Sequence, residues 1–176
     1  MTRVLVTGFE PFGENDVNPS ALIAEALEGV ILPVSYERAA DELRRAVGER
    51  LPDLVVCFGL AVDRTAITVE RYAHNLDEAS TTDNDGAAGS GSPIDATGPL
   101  ALASTLPVDE IVAALRAEEI PADVSRDAGG YLCNHVLYAL LRSGTRGGFV
   151  HLPPLDVIPL ETQVRAAQTI VAVAST

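Results

Sequence analysis

Lysine and tryptophan are absent from this chain of 176 residues, and only 5% of it is aromatic. Without lysine, neither Schiff-base chemistry nor a phosphate-binding P-loop lysine is available, and all 12 basic residues are arginines. Without bulky rings, the core must be built from Ala, Val, Leu and Ile, which suits layered α/β packing. Positive charge is scarce too: 25 acidic residues leave a formal net charge of −13. Such a surface repels phosphate backbones, so nucleic acid is not an expected partner. No run of about 18 apolar residues is present, so no membrane span is expected. The opening MTRVLVTGFEPFG reads as a strand entering a Gly/Pro loop rather than a signal peptide. Two cysteines without an export signal point to reduced thiols in a cytoplasmic protein.

Several familiar motifs also fail. Gly8 and Gly13 have P-loop spacing, but Glu14 and Asn15 stand where Lys and Ser/Thr are needed. The DNDG stretch at 83–86 resembles a calcium loop, yet Ser92 occupies the position of the bidentate glutamate. No Cys/His spacing suggests zinc, so neither a metal nor a cofactor is expected.

What is present is an alternation of strands and helices. TRVLVT (2–7) reads as a first strand closed by Gly8, and Asn18-Pro19 as an N-cap and first helical residue before ALIAEALEG. A short strand near VILPV precedes an amphipathic helix over 35–50. DLVVCFGL (53–60) is a buried strand, and AITVERYAHNL (66–76) an extended, more polar one. Residues 77–99, rich in Gly, Ser and Ala, predict a mobile surface loop. A helix begun by Pro107, a strand in ADVSRDAGG, a helix in CNHVLYALLRSG, a strand in GGFVHLP and a C-terminal helix complete the chain. The pattern predicts a single domain over 1–176: three α/β/α layers around a mostly parallel, twisted sheet.

Cys133 stands where AGGY meets a helix, and unpaired N–H groups at a helix start stabilise a thiolate and can donate to an oxyanion. Composition alone explains it equally well as a small residue opening a helix. Cys57, among bulky residues in mid-strand, reads as inert packing. A thiol nucleophile needs a base, and there are three histidines. His135 lies about 200° around the helix from Cys133 and points away. His74 lies near a strand or faces solvent. His151 follows GGFV, at the strand end where parallel sheets gather their ligands, and is the best of the three. For the acid that orients the imidazole, Glu70, Asp83, Asp85 and Asp156 compete, and spacing cannot separate them. A salt bridge with Arg64 or Arg71 explains Glu70 without any catalytic role.

Three segments together resemble the pyroglutamyl-peptidase I (pyrrolidone-carboxylate peptidase) family: VLVTGFEPFG with Asn18-Pro19, GLAVDRTAITVERYAHNL, and VSRDAGGYLCNHVLYALL followed by GGFVHLP. The similarity runs in order through nearly the whole chain. It implies a three-layer α/β/α cysteine exopeptidase that removes an N-terminal pyroglutamyl residue from peptides through an acyl-enzyme. Carried onto matching positions, it implies Cys133 as nucleophile, His151 as base and Glu70 as orienting acid. It also implies Phe9 and Phe12 as walls around the flat lactam, with Asn18, Thr81 and Leu132 at the substrate. Relatives of this kind are commonly dimers or tetramers, so a homo-oligomer is expected. Apolar walls suit a neutral lactam that has no free α-amine.

The chain departs from the family pattern at Ser80, in place of an arginine, and at Thr81, in place of an apolar residue. Further departures are Val62-Asp63, Tyr72, and shortened segments after Gly29 and His151. The altered 79–84 loop is the one feature favouring an impaired relative that binds a lactam or peptide N-terminus without efficient turnover. A phosphorylase-like enzyme on a similar scaffold is opposed by the acidic charge and the missing phosphate motif.

Overall fold

The structure, a computed structural model, describes residues 2–176. Its centre is the strand whose sequence is apolar throughout. β3 (Leu54–Leu60) is buried at every residue, as a strand covered on both faces must be. Around it the sheet runs β2 (Val30–Leu32), β1 (Val4–Phe9), β3, β8 (Gly147–Leu152), β4 (Ile67–Glu70), β7 (Ala122–Ser125). Pairings are parallel except at β8–β4, where direction reverses. The expected three-layer α/β/α arrangement is present, its sheet mixed by this one antiparallel junction.

Side chains alternate between faces along each strand. Leu54, Val56 and Phe58 of β3 pack with Ile23 of α1 (Pro19–Ala26), Ile111 of α3 (Val108–Ala117) and Ile170 of α5 (Leu160–Ala174). Val55 and Cys57 face the other way, onto Leu43 of α2 (Ala39–Arg50) and Leu137 of α4 (Leu132–Arg142). The same parity sorts β4 and β8. Ile67, Val69, Val150 and Leu152 join the first layer, and Phe149 joins the second. Thr68, Glu70 and His151 therefore face α4.

Local capping explains how the first helix begins. Asn18 is its N-cap, accepting from Ser20 N at 3.1 Å and Ser20 Oγ at 2.7 Å and donating to the Glu10 carbonyl at 3.1 Å. Pro19 follows at the first helical position, where its missing N–H costs nothing.

Three expectations change in the structure. The 66–76 strand is broken at Arg71: β4 stays in the main sheet, while β5 (Tyr72–His74) leaves it and pairs antiparallel with β6 (Ala101–Ala103). β6 falls in the short apolar run Leu100–Ala103, to which the sequence reading assigned no element, and two of its three residues are exposed. The helix expected from residue 35 starts at Ala39, after a turn over 36–38. Residues 77–99 contain no helix or strand, yet polar contacts tie them down. Asp77 and Gly91 exchange backbone contacts with Ser92 and Asp77 respectively, and the Asp83 carboxylate accepts from the N–H groups of Tyr36, Asp85 and Ala87.

Asn134 holds the small sheet against the large one. Buried on α4, its amide accepts from His74 N at 2.8 Å and donates to the carbonyls of His74 (2.8 Å) and Leu76 (3.0 Å). The side chain thus acts as a third strand for β5. Asn134→Ala leaves His74 N and the Leu76 carbonyl without that partner, while the His74 carbonyl keeps Leu76 N at 2.9 Å, and is expected to cost about 2–4 kcal/mol in urea unfolding. A change under about 0.5 kcal/mol would show that water replaces the clamp.

Candidate active site

The site begins with a buried charge. Glu70, the last residue of β4, has no exposed surface. A carboxylate in that position is costly unless paired. One partner is His151 on β8, whose Nδ1 donates to Glu70 Oε1 at 2.7 Å. The other is Arg64, with Nη1 3.4 Å from the same oxygen. Antiparallel pairing of β4 with β8 sets Thr68 opposite His151, which puts Glu70 on the diagonal position of the same face. Both readings of Glu70 made from the sequence, ion pair and imidazole partner, are therefore present at once. Arg71 instead pairs with Asp109 at 2.5 Å.

The imidazole is nearly sealed from solvent and lies against the Phe149 ring, with centroids 4.9 Å apart. Burial disfavours its charge. The Cys133 sulfur and the Glu70 carboxylate outweigh that effect, raising the His151 pKa from 6.5 to about 9. Cys133 is the second residue of α4 and is half-buried. Gly59 of β3, the register partner of His151, marks where the thiol sits. A β-carbon added at Gly59 would lie 2.8 Å from Cys133 Sγ and 2.7 Å from Phe149 Cζ. The sulfur thus rests over a bare stretch of backbone, close enough to the imidazole to favour its charged form.

Tyr131, the residue preceding α4, offers no side-chain cap. The first N–H groups of a helix have no acceptor within it, and Cys133 sits at this end of α4. Cys57 is the contrast: fully buried beside Thr7, its thiol is pushed up to about 12 by desolvation. The other candidates fall elsewhere. His135 binds Asp77 at 2.8 Å on the side of α4 away from the thiol, and His74 Nε2 lies 3.1 Å from the Arg126 carbonyl. Asp83 is engaged by backbone N–H groups, Asp85 by Arg38, and Asp156 is exposed. Among the described residues no group of three or more His, Cys, Asp or Glu is placed to hold a metal ion.

Beside Cys133 lies a narrow, mainly apolar cleft with only about 10 Å³ of free volume. Phe9, Phe12, Asn18 and Leu132 line it, together with Val34, Leu60 and Tyr131. Asn18 contributes its flank, since its amide is committed to capping. Thr81 does not line the cleft: it is exposed on the 77–99 segment. Tyr131 takes the place on that side, packing on Phe12 at 5.9 Å and donating its hydroxyl to the Thr82 carbonyl at 3.0 Å. Sequence reasoning passed over Tyr131, although it had a usable signal: a large ring directly before Leu132-Cys133 in an aromatic-poor chain. It named Arg64 only as one of two ion-pair partners for Glu70, and the structure selects Arg64. A larger apolar groove between α2 and α4, lined by Leu43, Val47 and Leu140, holds no paired nucleophile and base.

The bare backbone at Gly59 supports a direct test. Gly59→Ala is expected to destabilise the protein by about 1–3 kcal/mol and to slow alkylation of Cys133, because the new methyl competes with the sulfur. Unchanged stability together with unchanged alkylation would place the thiol elsewhere.

Comparison with known proteins fits this geometry. Residues 2–172 match a model of the family described as pyroglutamyl peptidase. The pyrrolidone-carboxylate peptidase of Chromobacterium violaceum is 45% identical over 164 residues, covering 87% of this chain and 78% of the relative. That of Bacillus cytotoxicus is 41% identical over 184 residues, covering 96% and 84%. Among solved structures, pyrrolidone carboxyl peptidase from Thermococcus litoralis superposes with a TM-score of 0.95 at 36% identity, covering 99% of this chain and 93% of that one. Pyroglutamyl peptidase I of Bacillus amyloliquefaciens gives 0.96 at 33% identity, covering 99% and 97%.

Proposed function

The chain belongs to the pyroglutamyl peptidase family, and from that premise we propose that it hydrolyses the bond after an N-terminal pyroglutamyl residue, with Cys133 as nucleophile, His151 as acid and base, and Glu70 as orienting carboxylate. The observation that carries this reading is the position of the Cys133 sulfur over Gly59, next to an imidazole whose far nitrogen is held by Glu70.

In the first half-reaction the Cys133 thiolate attacks the pyroglutamyl carbonyl carbon, and the electron pair moves onto oxygen. N–H groups at the start of α4 stabilise that oxyanion. As the tetrahedral species collapses, the C–N bond breaks and protonated His151 gives its proton to the leaving amine. A thioester remains. In the second half-reaction neutral His151 removes a proton from water, whose oxygen attacks the thioester. Pyroglutamate leaves, and the thiolate and imidazolium are restored. The cleft walls of Phe9, Phe12 and Leu132 suit the lactam ring, with Tyr131 closing the side where Thr81 was expected. The narrow, apolar character of the cleft disfavours a charged α-ammonium, which selects the blocked N-terminus over a free one.

A pyroglutamyl chromogenic amide tests the reading. Chromophore release is expected from the unaltered protein, and release no greater than that of Cys133→Ser would reject it. Glu70→Gln keeps the shape but weakens the hold on the imidazolium, and is expected to lower kcat by about 100-fold or more.

The raised His151 pKa has a sign for stability as well. The folded state binds this proton more tightly than a free imidazole does. The stabilisation is therefore complete below about pH 6.5 and is lost as pH rises through about 9. Activity is expected to decline over the same alkaline range as the proton donor is lost. Urea midpoints measured between pH 6 and 10 should fall for the unaltered protein and stay flatter for His151→Gln. Parallel slopes would contradict the assignment.

A further inference from the structure

Arg64 is the one charged group on Glu70 that the proposed mechanism leaves unused. Its Nη1 lies 3.4 Å from Glu70 Oε1 and donates to Thr68 Oγ1 at 2.6 Å, and its Nη2 donates to the Asp127 carbonyl at 3.1 Å. The first two acceptors belong to β4. The third belongs to the turn leading into α4, where Asp127 Oδ1 also accepts from Gly129 N at 2.9 Å. One guanidinium therefore ties the strand that carries the carboxylate to the segment that presents the thiol. Lysine could not make these three contacts with a fixed, planar fork.

We propose that Arg64 is a positioning residue for the reaction: it holds Glu70 in the orientation that receives His151 and locks β4 to the Gly129–Gly130 turn before Cys133. This rests on the triad reading above. The geometry supplies two independent reasons. Glu70 Oε2 is buried without a hydrogen-bond partner, so only Oε1 fixes the carboxylate, and His151 and Arg64 share that oxygen. The Arg64 side chain is also three-quarters covered, unlike most arginines in this chain, so its geometry is constrained rather than freely solvated.

The charge matters beyond the contact. The groups facing Glu70 are His151 from β8, Arg64 from the β3–β4 turn and the Thr68 hydroxyl from β4 itself, and Cys133 of α4 stands behind His151. From β7, the register partner is uncharged Ser125. Arg71 is directed to Asp109, and the Asp127 carboxylate is engaged by Gly129. Arg64 is thus the fixed positive charge of the cluster. Removing a positive charge raises the proton affinity of every group near it, so the acid side of any profile that follows thiolate formation must move to higher pH.

The test compares Arg64→Gln and Arg64→Lys with the unaltered protein by two readouts. The first is the pH dependence of iodoacetamide alkylation at Cys133, followed by mass so that Cys57 is separated. The second is kcat and KM on a pyroglutamyl amide. Arg64→Gln is expected to shift the alkylation inflection upward by about half a unit or more. It should also lower kcat by about 10- to 100-fold with KM within threefold. Arg64→Lys, which restores charge without the fork, should bring the inflection back while kcat stays reduced. If Arg64→Gln is unfolded by circular dichroism, Arg64→Lys decides alone: reduced kcat with an unmoved inflection supports the role, and full kcat overturns it. If folded Arg64→Gln gives an alkylation profile superposing on that of the unaltered protein, that too overturns it. Alkylation is readable without turnover, so an inactive unaltered protein would refute the proposed hydrolysis while Arg64 is still decided by the inflection.

Discussion

A carboxylate with no exposed surface dictates much of what lies around it. Glu70 must be satisfied from within the protein, and it is satisfied by an imidazole and a guanidinium converging on one oxygen. Removing either partner leaves a buried anion short of compensation, which is the expensive case for ion pairs. That demand fixes the side-chain torsions of His151, and the ring so held stands next to the sulfur at the start of α4. The proposed proton transfers use an arrangement that the electrostatics of Glu70 already require.

The register of β4 against β8 sets this convergence. Their antiparallel pairing puts Thr68 opposite His151, so Glu70, two residues on, shares that face one diagonal step away. The neighbouring strand contributes by having no side chain where one would obstruct. Gly59, opposite His151, leaves room for the thiol between α4 and the sheet. Carboxylate, imidazole and thiol thus come from β4, β8 and α4, and the sheet register brings all three to one spot.

Around that spot, irregular chain is anchored by polar groups because it lacks the apolar residues to anchor itself. Asn134 supplies three hydrogen bonds to β5 and to Leu76. Asp83 gathers three backbone N–H groups, and Tyr131 reaches the Thr82 carbonyl while lining the cleft. The 77–99 segment is consequently coupled to the cleft through Tyr131 and through Asn84, whose amide donates to the Glu10 carboxylate and the Pro11 carbonyl between Phe9 and Phe12.

Much of this was legible in the residues because its causes are local. Asn18-Pro19 announces the start of α1 by capping chemistry, the apolar run at 54–60 announces a strand buried on both faces, and glycines before Cys133 announce a thiol at a helix entrance. Even the face that His135 occupies follows from helical periodicity. The break at Arg71, the pairing of β5 with β6, the direction of β4 and the reach of Arg64 to the turn before α4 have no such local cause. Each depends on contacts between segments distant along the chain, and Glu70 and His151 are 81 residues apart. The sequence by itself determined which residue types were available and which local geometry each preferred. Only tertiary structure decided which of the four carboxylates faces the imidazole, because that choice is made by strand direction and register, which no local pattern encodes.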